Sequence, residues 1–190
     1  VAEAGLRRGW GARAERFGLR WVLIYPRRLH ALVSLLGLAQ RLGLDRLAAK
    51  VFPFITPASS LLPRVPARAE RRRLPEFTPA QGERRGRVAL LEGCVMAELF
   101  GDINRATVRV LSRNGFDVLV PPEQGCCGAL HAHAGDPSMA RELAEKNIQA
   151  FAMPGGECVD AVVSNSAGCG AALREVGQWL PGQGEALASR

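Results

Sequence analysis

Three short apolar runs, each followed by a glycine-bordered cysteine and then by a stretch of helical periodicity, constrain this chain more than any other feature. The runs cover residues 87–92 (Arg-Val-Ala-Leu-Leu-Glu), 116–120 (Phe-Asp-Val-Leu-Val) and 159–163 (Val-Asp-Ala-Val-Val). Each has strand length, and the first two stop at Gly93 and at Pro121-Pro122. Between them, residues 98–112 place Leu99, Ile103, Ala106, Val110 and Leu111 at helical spacing, and Asn114-Gly115 ends that helix. Residues 137–151 form a second helical stretch, with Asp136 as N-cap and Pro137 in the first position. A final helix is predicted over 171–180. Alternating strands and helices need crossover connections. The expected fold is therefore α/β, a small parallel sheet with flanking helices.

The cysteines fall at special places on that scaffold. Cys94 follows the first strand, Cys126 and Cys127 the second, and Cys169 the third. Loops leaving the carboxyl ends of parallel strands share one edge, where ligands bind in such sheets. Cys158 precedes the third strand, so topology puts it at the opposite edge, as a small apolar residue. Four thiolates suit zinc or an iron–sulfur cluster. No C-x2-C knuckle of the structural-zinc kind is present, whereas adjacent cysteines can each reach a different iron of a cluster. A strained disulfide between Cys126 and Cys127 is the remaining alternative. Gly93, Gly125, Gly128, Gly168 and Gly170 let the backbone approach a bulky centre and donate N–H groups to it. His131 and His133 read as packing or solvent-facing groups.

The remainder is organised differently. Residues 1–52 read as a helical basic arm. One helix is ended by Pro26, a second covers about 27–39, and a third covers 45–51 with Asp45 as N-cap. Residues 53–86 are a Pro/Arg-rich connector containing Arg71-Arg72-Arg73, expected to lie in solvent; residues 87–190 are the cysteine-rich domain. Residues 1–87 carry a net charge of +12 and residues 88–190 one of −5. Aromatic residues are only 6% of the chain, too few for a platform that stacks single-stranded nucleic acid, and the acidic half repels phosphate. No nucleic-acid partner is expected. The basic arm suits an acidic protein surface or the inner face of a membrane.

The runs Leu91-Glu-Gly-Cys94, Gln124-Gly-Cys-Cys-Gly-Ala-Leu-His131 and Asn165-Ser-Ala-Gly-Cys-Gly170, with Asn104-Arg-Ala-Thr107 and Asn147-Ile148, resemble the cysteine-rich CCG domain. That domain occurs in heterodisulfide reductase subunits, in lactate-utilisation iron–sulfur proteins and in the iron–sulfur subunit of glycolate oxidase; the wording is most similar to the last. The arm and connector are similar to the segment that precedes the domain in that family. The resemblance implies an oxidoreductase subunit that carries electrons and holds no catalytic residue of its own. A flavin subunit, bearing FAD, would oxidise glycolate to glyoxylate, and electrons would pass toward a membrane acceptor. Cys94, Cys126, Cys127 and Cys169 would bind an iron–sulfur cluster of the 4Fe-4S kind. A cytoplasmic location, at the inner face of the cell membrane, is implied with it. The broader family pattern ends in C-x2-C, and Ser166 stands at the first of those cysteines. That departure keeps two other readings open: a scaffold for the flavin subunit that has no cluster, or a subunit of a related lactate or heterodisulfide oxidoreductase. The family's ferredoxin-like region and second cysteine-rich domain are absent from this sequence, so it reads as an internal piece of a longer subunit.

Overall fold

The computed structural model describes residues 10–51, 63–152 and 159–182. Three helices come first: α1 (Trp10–Val22), α2 (Pro26–Arg41) and α3 (Leu44–Val51). Pro26 does more than end α1. It occupies the first turn of α2, where its missing N–H costs nothing, and it holds Tyr25 extended at φ −107°. Asp45 lies inside the first turn of α3 rather than capping it. There its charge complements the helix dipole.

A four-stranded sheet forms the centre, in the order β1 (Phe77–Thr78), β3 (Phe116–Leu119), β2 (Gly86–Leu90), β4 (Ala161–Val163). Strands β2, β3 and β4 are parallel, with Val88 opposite Val118 on one side and Ala161 on the other. The fourth strand is a correction. Phe77–Thr78 lies in the stretch read as connector, yet it pairs antiparallel with β3 at the sheet edge. A two-residue strand is too short to show a period of its own, so the sequence pattern could not reveal it.

Side chains alternate across the sheet, and both faces are covered. Val88, Leu90, Val118 and Val120 pack on one face with Val108 and Leu74. Ala89 and Leu91 pack on the other with Ala144, Phe151, Ala172 and Val176. Helix α5 (Gly101–Arg113) covers the first face, and α7 (Pro137–Phe151) and α8 (Ala167–Trp179) cover the second. Strands buried on both faces read as unbroken apolar runs, which is why 87–92 shows no alternation.

Two helix boundaries differ from expectation, and both bear on the cysteines. The helix expected over 98–112 is two: α4 (Cys94–Leu99) and α5, broken at Phe100, whose φ of −134° leaves the helical region. The break lets the connector close in. A Cβ on Gly101 would stand 2.5 Å from the Glu70 carbonyl oxygen. Helix α8 starts four residues before the expected 171, which takes Cys169 into its first turn.

The connector is not simply solvated. Leu74 joins the core, and Arg71 is buried, its guanidinium reaching Glu98 of α4, Ser34 Oγ and the His30 carbonyl of α2. Arg72 and Arg73 are exposed as expected. Arg20 of α1 makes a second tie, donating from Nε and Nη2 to the two carboxylate oxygens of Asp136 at 2.5 and 2.6 Å.

Candidate metal centre

Three loops meet above the carboxyl end of β2. Because β3 and β4 lie on opposite sides of β2, the chain changes direction there, and the connections after the three strands open a crevice. Cys94 enters as the first residue of α4, Cys126 and Cys127 lie between β3 and the short helix α6 (Ala129–His133), and Cys169 comes from α8. All four are free thiols. They form a chain of contacts: Cys94 pairs with Cys126, Cys126 with Cys127, and Cys127 Sγ stands 3.3 Å from Cys169 Sγ. Cys158 lies outside the described residues, and so does its expected place at the opposite edge.

The turn into α4 rests on a glycine. Gly93 has φ 73°, in the left-handed region that side chains resist, and a Cβ there would sit 3.9 Å from Cys169 Sγ. The amides of Val95, Gly128 and Ala129 face Cys94, Cys126 and Cys127 respectively.

Four residues hold the loops, and the sequence reading gave them no role. Gln124 accepts from the Glu92 amide at 2.7 Å and donates to the Leu90 carbonyl at 3.0 Å, tying the double-cysteine loop to the end of β2. Asn147 of α7 is buried; it accepts from the Gly125 amide and donates to the Cys126 carbonyl, each at 2.9 Å. Asn104 of α5 donates to the Glu92 carbonyl at 3.0 Å and accepts from Asn165 at 2.7 Å, which joins the loops after β2 and β4. Buried amide side chains need such partners, and an Asn inside a helix whose apolar neighbours face the sheet is the signal that marks them in sequence.

Charge on the sulfurs is strongly restricted. The hydrogen bond from Cys126 holds the Cys94 thiol below its usual range. The hydrogen bond with Cys127 pulls Cys126 down, but the one given to Cys94, together with burial, pushes it up to about 12. The bond with Cys126 and burial push Cys127 up to about 11, against the opposing bond with Cys169. Cys169 is raised by its bond to Cys127 and by burial, while Ser166 acts in the opposite direction. The four cannot ionise together without a cationic centre among them. Soft donors of this kind fit iron–sulfur chemistry. Among the described residues no three His, Cys, Asp or Glu are arranged around a point that would take a single ion.

Nearby groups complete the setting. Cys94 and Cys126 border a cavity of about 220 Å³ that Leu23, Ile24 and Leu29 of the arm also line. Burial raises the Glu92 carboxyl at its edge. His131 is fully buried; burial lowers its pKa, neither ring nitrogen has a hydrogen-bond partner among the described residues, and Nδ1 lies 3.8 Å from Asp136. His133 faces solvent.

Residues 88–174 match the CCG cysteine-rich domain, and residues 10–53 match the linker region of the glycolate oxidase iron–sulfur subunit. The chain thus carries a cysteine-rich domain over residues 88–174. It is similar to the iron–sulfur subunits of glycolate oxidase. It is 41% identical to a probable glycolate oxidase iron–sulfur subunit of Bacillus subtilis, over 80% of this chain and 35% of the relative. It is 34% identical to the glycolate oxidase iron–sulfur subunit of Escherichia coli, over 95% of this chain and 40% of the relative. It is also 33% identical to lactate utilization protein A of Geobacillus kaustophilus, over 47% of this chain and 35% of the relative. The chain therefore spans well under half the length of these relatives. No solved structure matches it.

Proposed function

We propose that the chain is the electron-carrying part of a glycolate oxidase type complex, with Cys94, Cys126, Cys127 and Cys169 holding a 4Fe-4S cluster. The observation that carries this reading is the meeting of four free thiols from three loops at the switch point of the sheet. A bound cluster supplies one-electron chemistry at a potential set by ligands, hydrogen bonds and burial. The chain's own residues do the rest. The thiolates provide the charge that binds iron. The amides of Val95, Gly128 and Ala129 donate toward the sulfurs and draw density from them, which raises the potential. Gln124, Asn104 and Asn147 fix the loops, and Leu23, Ile24 and Leu29 give the cavity beside Cys94 and Cys126 an apolar lining. Electrons would come from a partner subunit bearing FAD that oxidises glycolate, and would leave toward a membrane acceptor at the inner face of the cell membrane.

Anaerobic reconstitution with iron and sulfide, followed by EPR of the reduced chain, tests the reading. The expected result is a reducible cluster signal that each single Cys→Ala substitution at the four positions diminishes. A chain that takes up no iron, and whose four thiols alkylate freely while it still captures the flavin subunit, would establish a scaffold instead. Ser166 beside Cys169 is what favours that second reading.

A further inference from the structure

We infer that the outer face of the helical arm is a membrane-contact surface, seated in the headgroup region of a bilayer rich in anionic lipid. Each of the three helices leaves an apolar stripe exposed among the described residues. At 100° per residue, Trp10, Phe17 and Trp21 of α1 fall within about 40° of arc, and they are 87%, 70% and 53% exposed. On α2, Leu32, Leu35 and Leu38 lie on the outer side, while Leu29, Val33 and Gly37 are buried against the rest of the chain. On α3, Leu44, Leu47 and Val51 share one exposed face. An ordinary surface helix turns its apolar stripe inward. Here α3 turns its stripe out, and α1 and α2 have apolar residues on both sides, Leu19 and Val22 of α1 being half-buried.

The stripes are continuous at the corner. Arg28 lies one turn before Leu32 on the outer side of α2, and its guanidinium stacks over the rings of Trp21 and Tyr25, 4.7 and 4.2 Å from their centroids. The axes of α1 and α2 bend by 102° there, and no single helix among the described residues is long and apolar enough to cross a bilayer. A bent pair with exposed Trp, Tyr, Phe and Leu, flanked by arginine, has the composition of helices that lie in the interface plane.

Charge selects the lipid. Residues 10–51 carry a net charge of +6, and Arg13, Arg27, Arg28, Arg41 and Lys50 are exposed. An anionic headgroup layer offers these groups counter-charge beside an apolar layer for the stripes, whereas an acidic protein surface supplies the first without the second. The inference gives the electron-transfer reading a location next to its acceptor, and in that sense rests on it, but the surface exists whether or not iron is bound.

Co-sedimentation of the chain with vesicles tests this. Vesicles of phosphatidylcholine containing phosphatidylglycerol should bind at least ~10-fold more chain than phosphatidylcholine alone, and raised salt should release it. The triple variant Phe17→Ser, Trp21→Ser, Leu35→Ser should lose that binding with its circular dichroism and melting unchanged, because all three side chains are exposed. Three results would overturn the inference: equal retention on both vesicles, full retention by the triple variant, or no binding at all. A dimer in light scattering that the triple variant abolishes, with vesicles unbound, would assign the face to a second copy. A complex with the flavin subunit that no longer binds vesicles would assign it to that subunit. The Cys94→Ala, Cys127→Ala chain should bind vesicles normally, so loss of iron and loss of lipid contact are read apart.

Discussion

The side-chain amide of Asn147 grips the double-cysteine loop from both directions, taking the Gly125 N–H and giving its own N–H to the Cys126 carbonyl, each at 2.9 Å. The loop is thus anchored by α7, which packs on the opposite side of the sheet from α5. Replacing Asn147 with Ala leaves two backbone groups of the buried loop without their partner. Such a loss costs about 1–3 kcal/mol. The midpoint of thermal unfolding should fall by several degrees, and iron retained after reconstitution should fall with it. A variant that melts lower yet keeps all its iron would show the loop to be held by other contacts.

Cys127 and Cys169 test the centre from a second direction, since their sulfurs touch although the residues are 42 apart in sequence. In the reconstituted chain, Cys127→Ala and Cys169→Ala should each remove most of the iron absorbance, whereas Cys158→Ala should leave it unchanged. Loss at Cys158 equal to loss at Cys169 would redraw the ligand set.

Asp136 gives a pH dependence with a defined sign. Its carboxyl is held down to about 2, first by the hydrogen bond from Arg20. A depressed folded pKa contributes stability that is complete above the ordinary value of 3.8 and is lost as pH falls through about 2. Arg20 is 47% exposed, so solvent screens the pair and its contribution is roughly 1 kcal/mol. Arg20→Ala should lower unfolding free energy near pH 6 and should make no difference below pH ~2. Urea titrations at the two pH values measure it, and a constant difference between them would contradict the assignment.

Arg71 should be the costly arginine of its triplet. Its guanidinium is 3% exposed and bonds the Glu98 carboxylate, whose side chain is 13% exposed. Arg71→Ala removes that ion pair and leaves Glu98 only His30 Nδ1, 3.1 Å from its other oxygen, and should cost about 1–3 kcal/mol. Arg72→Ala and Arg73→Ala, both at exposed positions, should stay within about 0.5 kcal/mol. Equal effects at all three would mean that the connector is solvated after all.

Gly93→Ala introduces backbone strain beside the thiols. The position needs φ 73°, and the added methyl would contact Met96 and Cys169 Sγ. The substitution should destabilise by roughly 1–2 kcal/mol. It should also lower iron uptake more than an equally destabilising change remote from the thiols, which reconstitution at matched stability would separate.

Much of this protein was decided locally, and locality is why it could be read from residues alone. The apolar runs 87–92 and 116–120 form buried strands because both of their sides are covered, and the helical spacing after each run commits the chain to parallel crossovers. That topology alone gathers Cys94, Cys126, Cys127 and Cys169 on one edge. What tertiary structure decided is what depends on groups distant in sequence. Phe77–Thr78 becomes a strand only because β3 leaves an edge for it, and Arg71 is buried only because Glu98 and Ser34 arrive from two other elements. Asn104, Gln124 and Asn147 act as clamps only once a folded loop presents its amides and carbonyls to them. Periodicity records which way a side chain faces, but a partner from another part of the chain is chosen by folding, and no local pattern carries it.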